Sequence, residues 1–474
     1  MSERTVGRLT LLSRAPQFRL LFIATAGSAL GTYLTAAVLA LQMNHLTHSG
    51  RWIAALLVAD FLPIALIGFT LGPLLDRLSR KKVMVSADIA RCAVFCALPF
   101  VTQPTAIVGL AAVSGIATGF FKPAAYAGLP NLVDGDEDLT EANALFGTAE
   151  NAAWVVGPIL AGLLFKLFGA SPAYIINAVT FLFSAVLVAR IPAVRLQATT
   201  ALTRGYWRDV ADGFGVVFRT PQLRTVLIVW NVVMAGNAAL NVGEVFFATD
   251  SLHSDGIGYG VLVAATGVGL MLGSLAAPFV MGRVSIRRVY PGAILIMAVG
   301  AFAASRAPSI WVAAPLAAFM TVGNAAAIVC NQLLLQRGAP DAMRGRSIAV
   351  IMSSTYITLA AATGAAGPLK DALGARALWA CAAGVYVVGS AVAFVLIRLL
   401  PRTAEAPAPA VVLEPVSDNG AVVLGEPEKP LPRLDPRHPV ERIRTLLDEV
   451  DETRSAEADR LRQKASATST RSHV

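Results

Sequence analysis

Apolar residues run through this chain in long blocks. Blocks at about 18–43, 53–75, 83–101, 105–129, 142–168 and 171–190 are followed by a polar stretch, and then by blocks at about 223–248, 257–281, 289–305, 309–335, 347–369 and 375–400. Each is near the roughly 20 residues that a helix needs to cross a bilayer's hydrocarbon core. The pattern predicts twelve spanning helices, since lipid offers the backbone no partners and a helix satisfies its own. The division between 142–168 and 171–190 rests on Gly169 and Pro172. The first block is too long for the core of a cleaved signal peptide and no small-residue cleavage site follows it, so it is read as a retained helix.

Composition agrees. Of 474 residues, 55% are hydrophobic and 15% charged, with a mean hydropathy of +0.63. About a quarter of the residues in ordinary soluble domains are charged, so the apolar excess here must face lipid. The net charge of +9 is a matter of topology. Of the 28 Lys and Arg up to residue 400, 21 fall on one set of loops, five (Arg51, Lys166, Arg306, Lys370, Arg376) on the other, and Arg91 and Lys122 within spans. The positive-inside rule then puts both termini in the cytoplasm of an inner-membrane protein. No nucleic-acid signature accompanies this basicity. Cys92, Cys96, Cys330 and Cys381 all lie inside apolar blocks and fit no metal or disulfide pattern, so neither a metal nor a cofactor is expected.

The halves repeat. Asp76-Arg-Leu-Ser-Arg-Lys-Lys-Val83 aligns with Gly282-Arg-Val-Ser-Ile-Arg-Arg-Val289, Gly157-Pro158 answers Gly367-Pro368, and Pro192 answers Pro401. Six helices separate the copies, so they are parallel repeats of the kind that rock around a shared midplane site. The expected fold is an all-α membrane protein of twelve transmembrane helices in two parallel six-helix repeats. The expected organisation is a bundle at 1–190, a cytoplasmic linker at 191–222, a second bundle at 223–400 and a tail at 401–474. In the linker, Trp207, Val210, Phe214 and Val217 are spaced as one helical face, fitting a helix at the lipid surface. The tail is Pro-rich up to Pro439 and reads as disordered. Residues 440–463 alternate in charge on a helical pattern, either a solvated helix or one that binds a protein partner.

Residues 72–82, Gly-Pro-Leu-Leu-Asp-Arg-Leu-Ser-Arg-Lys-Lys, resemble the signature loop between the second and third helices of major facilitator transporters, with Ser79 where Gly is usual. The resemblance implies a gating role for Gly72, Asp76, Arg77, Arg80 and Lys81. Asp76 would face the N-terminal end of the eleventh helix, where an anion is favoured, and the basic residues would hold anionic lipid headgroups. Phe121–Pro130, Leu139–Leu145, Gly157–Gly162 and Asp212–Arg224 resemble the drug-efflux branch, which includes macrolide-efflux and enterobactin-exporter proteins. Gly157, Pro158 and Gly162 resemble the core of its antiporter motif in the fifth helix, although the motif's earlier glycines are mostly missing. Related exporters often carry an acid after a Gly in the first helix; here that place reads Gly31-Thr32.

Charges inside spans are costly, about 2.5–3.5 kcal/mol at a helix centre, so they invite functional readings. Asp60, Glu150, Glu244 and Lys122 are candidates for proton or substrate binding, whereas Asp88 and Arg91, at i,i+3, read as a structural pair. Asn237, Asn241 and Glu244 form one stripe on the seventh helix, and Asn324 with Asn331 another on the tenth; both are candidates to line the cavity or to bond between helices. The expected function is proton-coupled export of lipophilic or amphipathic small molecules, with a lipid or lysolipid flippase as an alternative and a non-transporting sensor or scaffold acting through the tail as another. The chain has no phosphate-binding Gly-x-x-x-x-Gly-Lys loop and no catalytic constellation, so neither an ATP-driven pump nor an enzyme is expected.

Overall fold

The computed structural model describes residues 11–70, 78–196, 214–339 and 343–400, without the side chains of residues 68–70, 136 and 344–346. The chain divides into two units, Met1–Pro407 and Ala408–Val474. The second lies outside the described residues, as do the predicted tail helix, most of the linker, and Gly72, Asp76 and Arg77 of the signature loop.

Twelve helices among the described residues are long and apolar enough to cross a membrane. They are α1 (Pro16–Thr47), α2 (Gly50–Thr70), α3 (Arg80–Ala97), α4 (Pro104–Gly128), α5 (Gly135–Phe168), α6 (Ser171–Arg190), α7 (Pro221–Phe246), α8 (Gly256–Met281), α9 (Ile286–Ser305), α10 (Ile310–Gly338), α11 (Arg344–Leu373) and α12 (Ala375–Arg398). Pro16, Pro104, Pro172 and Pro221 open their helices, where the missing N–H costs nothing. Gly169 and Gly374, at φ 76° and 82°, end α5 and α11 in a backbone conformation that suits glycine.

Several helices outrun their apolar blocks. α5 begins at Gly135, seven residues before the block at 142, and α11 runs on to Leu373. Hydropathy marks the stretch that lipid must cover, while a helix continues for as long as water or a neighbour can satisfy its end.

The two halves share one packing scheme. In the first, α1 packs on α5 and α6, α2 on α4, and α3 on α4 and α6; in the second, α7 packs on α11 and α12, α8 on α10, and α9 on α10 and α12. Adding six to each number converts one set into the other. The halves meet along two seams, α5 against α8 and α2 against α11, and the repeat exchanges these seams. Large apolar side chains such as Phe100, Phe168, Phe279 and Trp311 remain exposed on the outside, as lipid contact requires.

The two faces of the bundle differ. One, the basic face, carries the starts of α3 and α9 and the ends of α6 and α12. There Arg80 donates to the carbonyls of Ala127 and Leu196 (2.8 and 3.1 Å), and Arg287 donates to that of Leu400 (2.9 Å), a repeated tie within each half. The opposite face, the far face, is where the halves are bonded to each other. Asn44 donates to Thr249 (2.8 Å), Ser49 to Asp371 (3.0 Å), Lys370 to the His48 carbonyl (3.0 Å), and Lys166 pairs with Asp255 (2.8 Å). Glycines let the backbones touch there. A Cβ on Gly162 would lie 2.1 Å from the Gly256 carbonyl oxygen, one on Gly260 2.3 Å from that of Pro158, and one on Gly50 2.6 Å from that of Gly367. Both seams are thus closed at the far face.

Candidate functional site

Charged residues in the first half fall into two groups. Asp88 and Arg91 on α3 form a buried ion pair; Ser184 of α6 donates to the second Asp88 oxygen (2.7 Å), and the Arg91 guanidinium lies between the rings of Phe121 and Phe181 (4.5 and 4.2 Å to the centroids). This pair faces α4 and α6 inside the half. It is paired, hydrogen-bonded and stacked, as a buried charge must be to be tolerated.

The second group lies where the halves face each other. Lys122 of α4 pairs with Glu150 of α5 at 3.2 Å, and its charge also acts on Asp60 of α2. Gly115 lets α4 close on α2 at this level, since a Cβ there would sit 2.6 Å from the Asp60 carbonyl oxygen. One turn beyond Glu150, Trp154 stacks on Tyr33 of α1, with centroids 5.7 Å apart and planes at 26°. Tyr33 and Tyr126 lie in the neighbourhood of Glu150, and Tyr356 of α11, in the opposite half, in that of Tyr33. The Lys122 side chain is 48% exposed although it lies within a spanning helix. Trp154, Tyr126 and Tyr356 are similarly exposed. Two carboxyls and one amine are thus brought together beside an aromatic pair.

The second half is built of amides. Asn231 of α7 accepts from Ser354 (3.1 Å) and Thr358 of α11. Asn237 accepts from Tyr386 of α12 (2.5 Å), and Asn331 of α10 accepts from Tyr290 of α9 (2.5 Å). The predicted asparagine stripes therefore divide. Asn237 is turned to α12 and Asn331 to α9, both inside the half, while Asn241 is exposed. Asn324 holds a buried side-chain oxygen that has no partner among the described residues. Glu244 lies near Tyr259 and has no hydrogen-bond or ion-pair partner among the described residues. Asn237 and Asn331 are diverted because Gly236 lets the Tyr386 ring against α7 and because α9 and α10 pack closely, and the helical spacing of the asparagines carries no trace of this.

The antiporter-like residues are packing positions. Gly157 lies against the α1 backbone at Tyr33 and Leu34, while Pro158 and Gly162 lie against α8 at Gly260 and Gly256. Gly31 lies against Asn177 of α6, which donates to Thr35 (2.8 Å). Among the described residues no cluster of His, Cys, Asp or Glu could hold a metal ion, and all four cysteines are free. Sequence reasoning missed Tyr33, Trp154, Tyr356 and Asn231. Their partners lie on other helices, so only the assembled bundle joins them.

Residues 11–423 match the family model described as transmembrane secretion effector. The chain belongs to this family of the major facilitator superfamily. The multidrug efflux pump Tap of Mycolicibacterium fortuitum is 25% identical over 387 residues, which cover 78% of this chain and 92% of Tap. Macrolide efflux protein A of Streptococcus pyogenes is 25% identical over 263 residues, which cover 53% of this chain and 64% of that protein. Among solved structures, the nucleoside transporter NupG superposes with a TM-score of 0.65 at 17% identity, covering 81% of this chain and all of NupG. A bacterial homologue of the iron transporter ferroportin gives 0.64 at 14% identity, covering 81% of this chain and 98% of its own. At these identities the structures establish the fold, the major facilitator arrangement of twelve helices. The protein is a multi-pass membrane transporter, not an enzyme.

Proposed function

We propose that this transporter exports lipophilic or amphipathic small molecules from the cytoplasm in exchange for protons, by alternating access between two rocking halves. One observation carries the reading: Asp60, Lys122 and Glu150, from three helices of one half, converge beside the stacked Tyr33 and Trp154, with Tyr356 of the other half facing them. The aromatic wall suits apolar cargo and the acids suit protons. In this reading these groups line a recess open to the basic face: a proton on Glu150 or Asp60 removes one negative charge, and one on Glu150 also frees Lys122 from its partner. Cargo and proton then compete for one recess, the requirement for exchange. Glu244, the unpaired acid of the second half, is the alternative proton carrier. The names of the Mycolicibacterium and Streptococcus relatives, multidrug and macrolide efflux, support export.

In this reading the basic face is cytoplasmic, both termini are inside and the protein resides in the inner membrane, because the Arg- and Lys-rich loops stay on the synthesis side. The residues Gly72, Asp76, Arg77, Arg80 and Lys81 gate the basic face and also meet lipid headgroups. The working units are 1–190 and 223–400, joined by 191–222. A flippase reading draws on one feature, an apolar crevice of about 260 Å³ between α1, α5 and α6, lined by Leu30, Leu34, Leu160 and Leu163 and of a size to take part of an acyl chain.

The test is transport in proteoliposomes under an imposed pH gradient, with hydrophobic dyes and antibiotics as cargo. Uphill movement that collapses with the gradient is expected, and that is weakened in Asp60→Asn, Glu150→Gln or Glu244→Gln. Undiminished uphill movement in all three variants refutes proton exchange through these acids. Lipid movement that persists without a gradient favours the flippase.

A further inference from the structure

The turn that joins the first two helices of each half is itself repeated. His48-Ser49-Gly50 answers His253-Ser254-Asp255-Gly256, with Asp255 as one extra residue in the second copy. Both histidines hold the left-handed backbone conformation (φ 48° and 52°), the two non-glycine residues among those described that do so. The copies differ in how the following helix is capped. In the second, Asp255 caps α8 from within its own chain segment, accepting the Gly258 N–H at 3.1 Å. The first copy has no acid at that place.

The missing cap arrives from the other half. Asp371, at the end of α11, accepts the Gly50 N–H at 2.5 Å, the Ser49 hydroxyl at 3.0 Å and the Arg51 N–H at 3.4 Å, so it takes the free amides at the start of α2. Its neighbour Lys370 donates to the His48 carbonyl at the end of α1 (3.0 Å) and lies over the Phe246 ring, 3.3 Å from the centroid. Two adjacent side chains of opposite sign thus serve two helix ends of the opposite half. The anion sits on the positive N-terminal end and the cation on the negative C-terminal end.

The other seam is wired differently. Lys166, in the last turn of α5 as Lys370 is in that of α11, reaches Asp255 at 2.8 Å, but both side chains are about half exposed (51% and 46%). By contrast, Lys370 is 10% and Asp371 25% exposed. Parting α5 from α8 breaks an exposed ion pair and leaves α8 capped. Parting α2 from α11 leaves the end of α1 and the start of α2 without their partners.

We infer that Lys370 and Asp371 are positioning residues that set the equilibrium between far-face-closed and far-face-open states, and that the α2–α11 seam is the dominant lock. This rests on the reading above that the halves part at the far face during transport. The extra Asp255 makes the α8 cap independent of closure, whereas the α2 cap exists only in the closed state. The duplicated halves therefore open their two seams at unequal cost.

The experiment uses the full chain in liposomes, without cargo or gradient. Spin labels replace Gln103 and Trp311, which sit at the far-face starts of α4 and α10 in opposite halves, and the distance distribution between them is measured by pulsed electron resonance. Asp371→Ala and Lys370→Gln should each raise the open fraction about tenfold, the size of a lost helix cap with its charge. Lys166→Gln should change it by less than about twofold, as an exposed pair does. The exchanged pair K370D/D371K keeps both charges but reverses them against both helix ends, so it should stay as open as the single variants. An unchanged distribution in Asp371→Ala overturns the inference; so does equal opening by Lys166→Gln, or closure restored by the exchanged pair. Because no cargo is present, a normal shift in distances alongside failed proton-driven export would sink the transport reading and leave the lock standing.

Discussion

In the first half, five charged side chains lie away from the ends of the spans: Asp88 and Arg91 sealed between α3, α4 and α6, and Asp60, Lys122 and Glu150 grouped on α2, α4 and α5. Within the second half's spans the corresponding space is held by Asn231, Asn237 and Asn331, each bonded to a hydroxyl of a neighbouring helix, with Glu244 the lone acid away from the far-face rim. Helix pairing is the same in both halves, so duplication preserved the packing scheme while the buried polar groups diverged. The constraint on packing is geometric and acts on every helix pair. The constraint on polar groups is looser, since charges or amides can supply partners, and Asn324 has a buried oxygen with none among the described residues.

The contrast can be broken most directly at its structural anchors. Arg91→Met leaves Asp88 as a buried charge without its partner and should cost about 3–5 kcal/mol. Tyr290→Phe in the second half unpairs the Asn331 oxygen, beside an amide nitrogen that already lacks a partner among the described residues, and should cost about 1–3 kcal/mol. Thermal unfolding in detergent compares them, and equal losses would show that the charges of the first half carry no extra stake.

Next in size is the recess. Glu150→Gln removes one acid and should slow gradient-driven efflux about tenfold or more, equivalent to ~1.4 kcal/mol on the barrier. Glu244→Gln should slow it less. If the order is reversed, the proton work belongs to the amide-rich half.

The seams give an effect of similar size. Gly162→Ala places a methyl 2.1 Å from the Gly256 carbonyl and should loosen far-face closure by about 1–3 kcal/mol, read as increased labelling of cysteines there. Gly147→Ala, on the same helix with nothing within 4 Å, serves as the control. The least effect is expected of Asp255→Asn, about 0–1 kcal/mol, since the pair it breaks is exposed and Asn still caps a helix. Lys166 and the Gly258 amide hold the Asp255 carboxyl below its usual range. A lowered value means that its contribution is present above the ordinary carboxylate range and is lost only as pH falls through the lowered one. Far-face closure should accordingly be flat between about pH 7 and 5 on this group's account; a midpoint inside that window would implicate another acid.

Much of the fold was legible in the chain. Apolar blocks marked all twelve spans because lipid imposes their length and character, and Gly169 with Pro172 separated α5 from α6 as the spacing required. The Asp88–Arg91 pair was legible because i and i+3 on a helix are neighbours. The site was legible only as a set of candidates. Lys122 and Glu150 were open to one another in the sequence, but nothing in it chose between their pairing and separate roles. The asparagine rows left two uses open, because a row on one helix says nothing of which neighbour each member meets; Tyr386 and Tyr290 give Asn237 and Asn331 bonds between helices.

By itself the sequence determined what lipid and water enforce locally: the number of spans, the loops that hold the basic residues, the duplication, and which residues are too polar to face hydrocarbon. Tertiary structure alone decided which of those polar residues meet, that α11 supplies the cap of α2, and that Tyr33 and Trp154 stand near Glu150. The reason is the range of the forces. Burial and backbone satisfaction act on each helix separately, whereas an ion pair, a stacked ring or a cap supplied by another helix exists only at contact distance, after the helices have assembled.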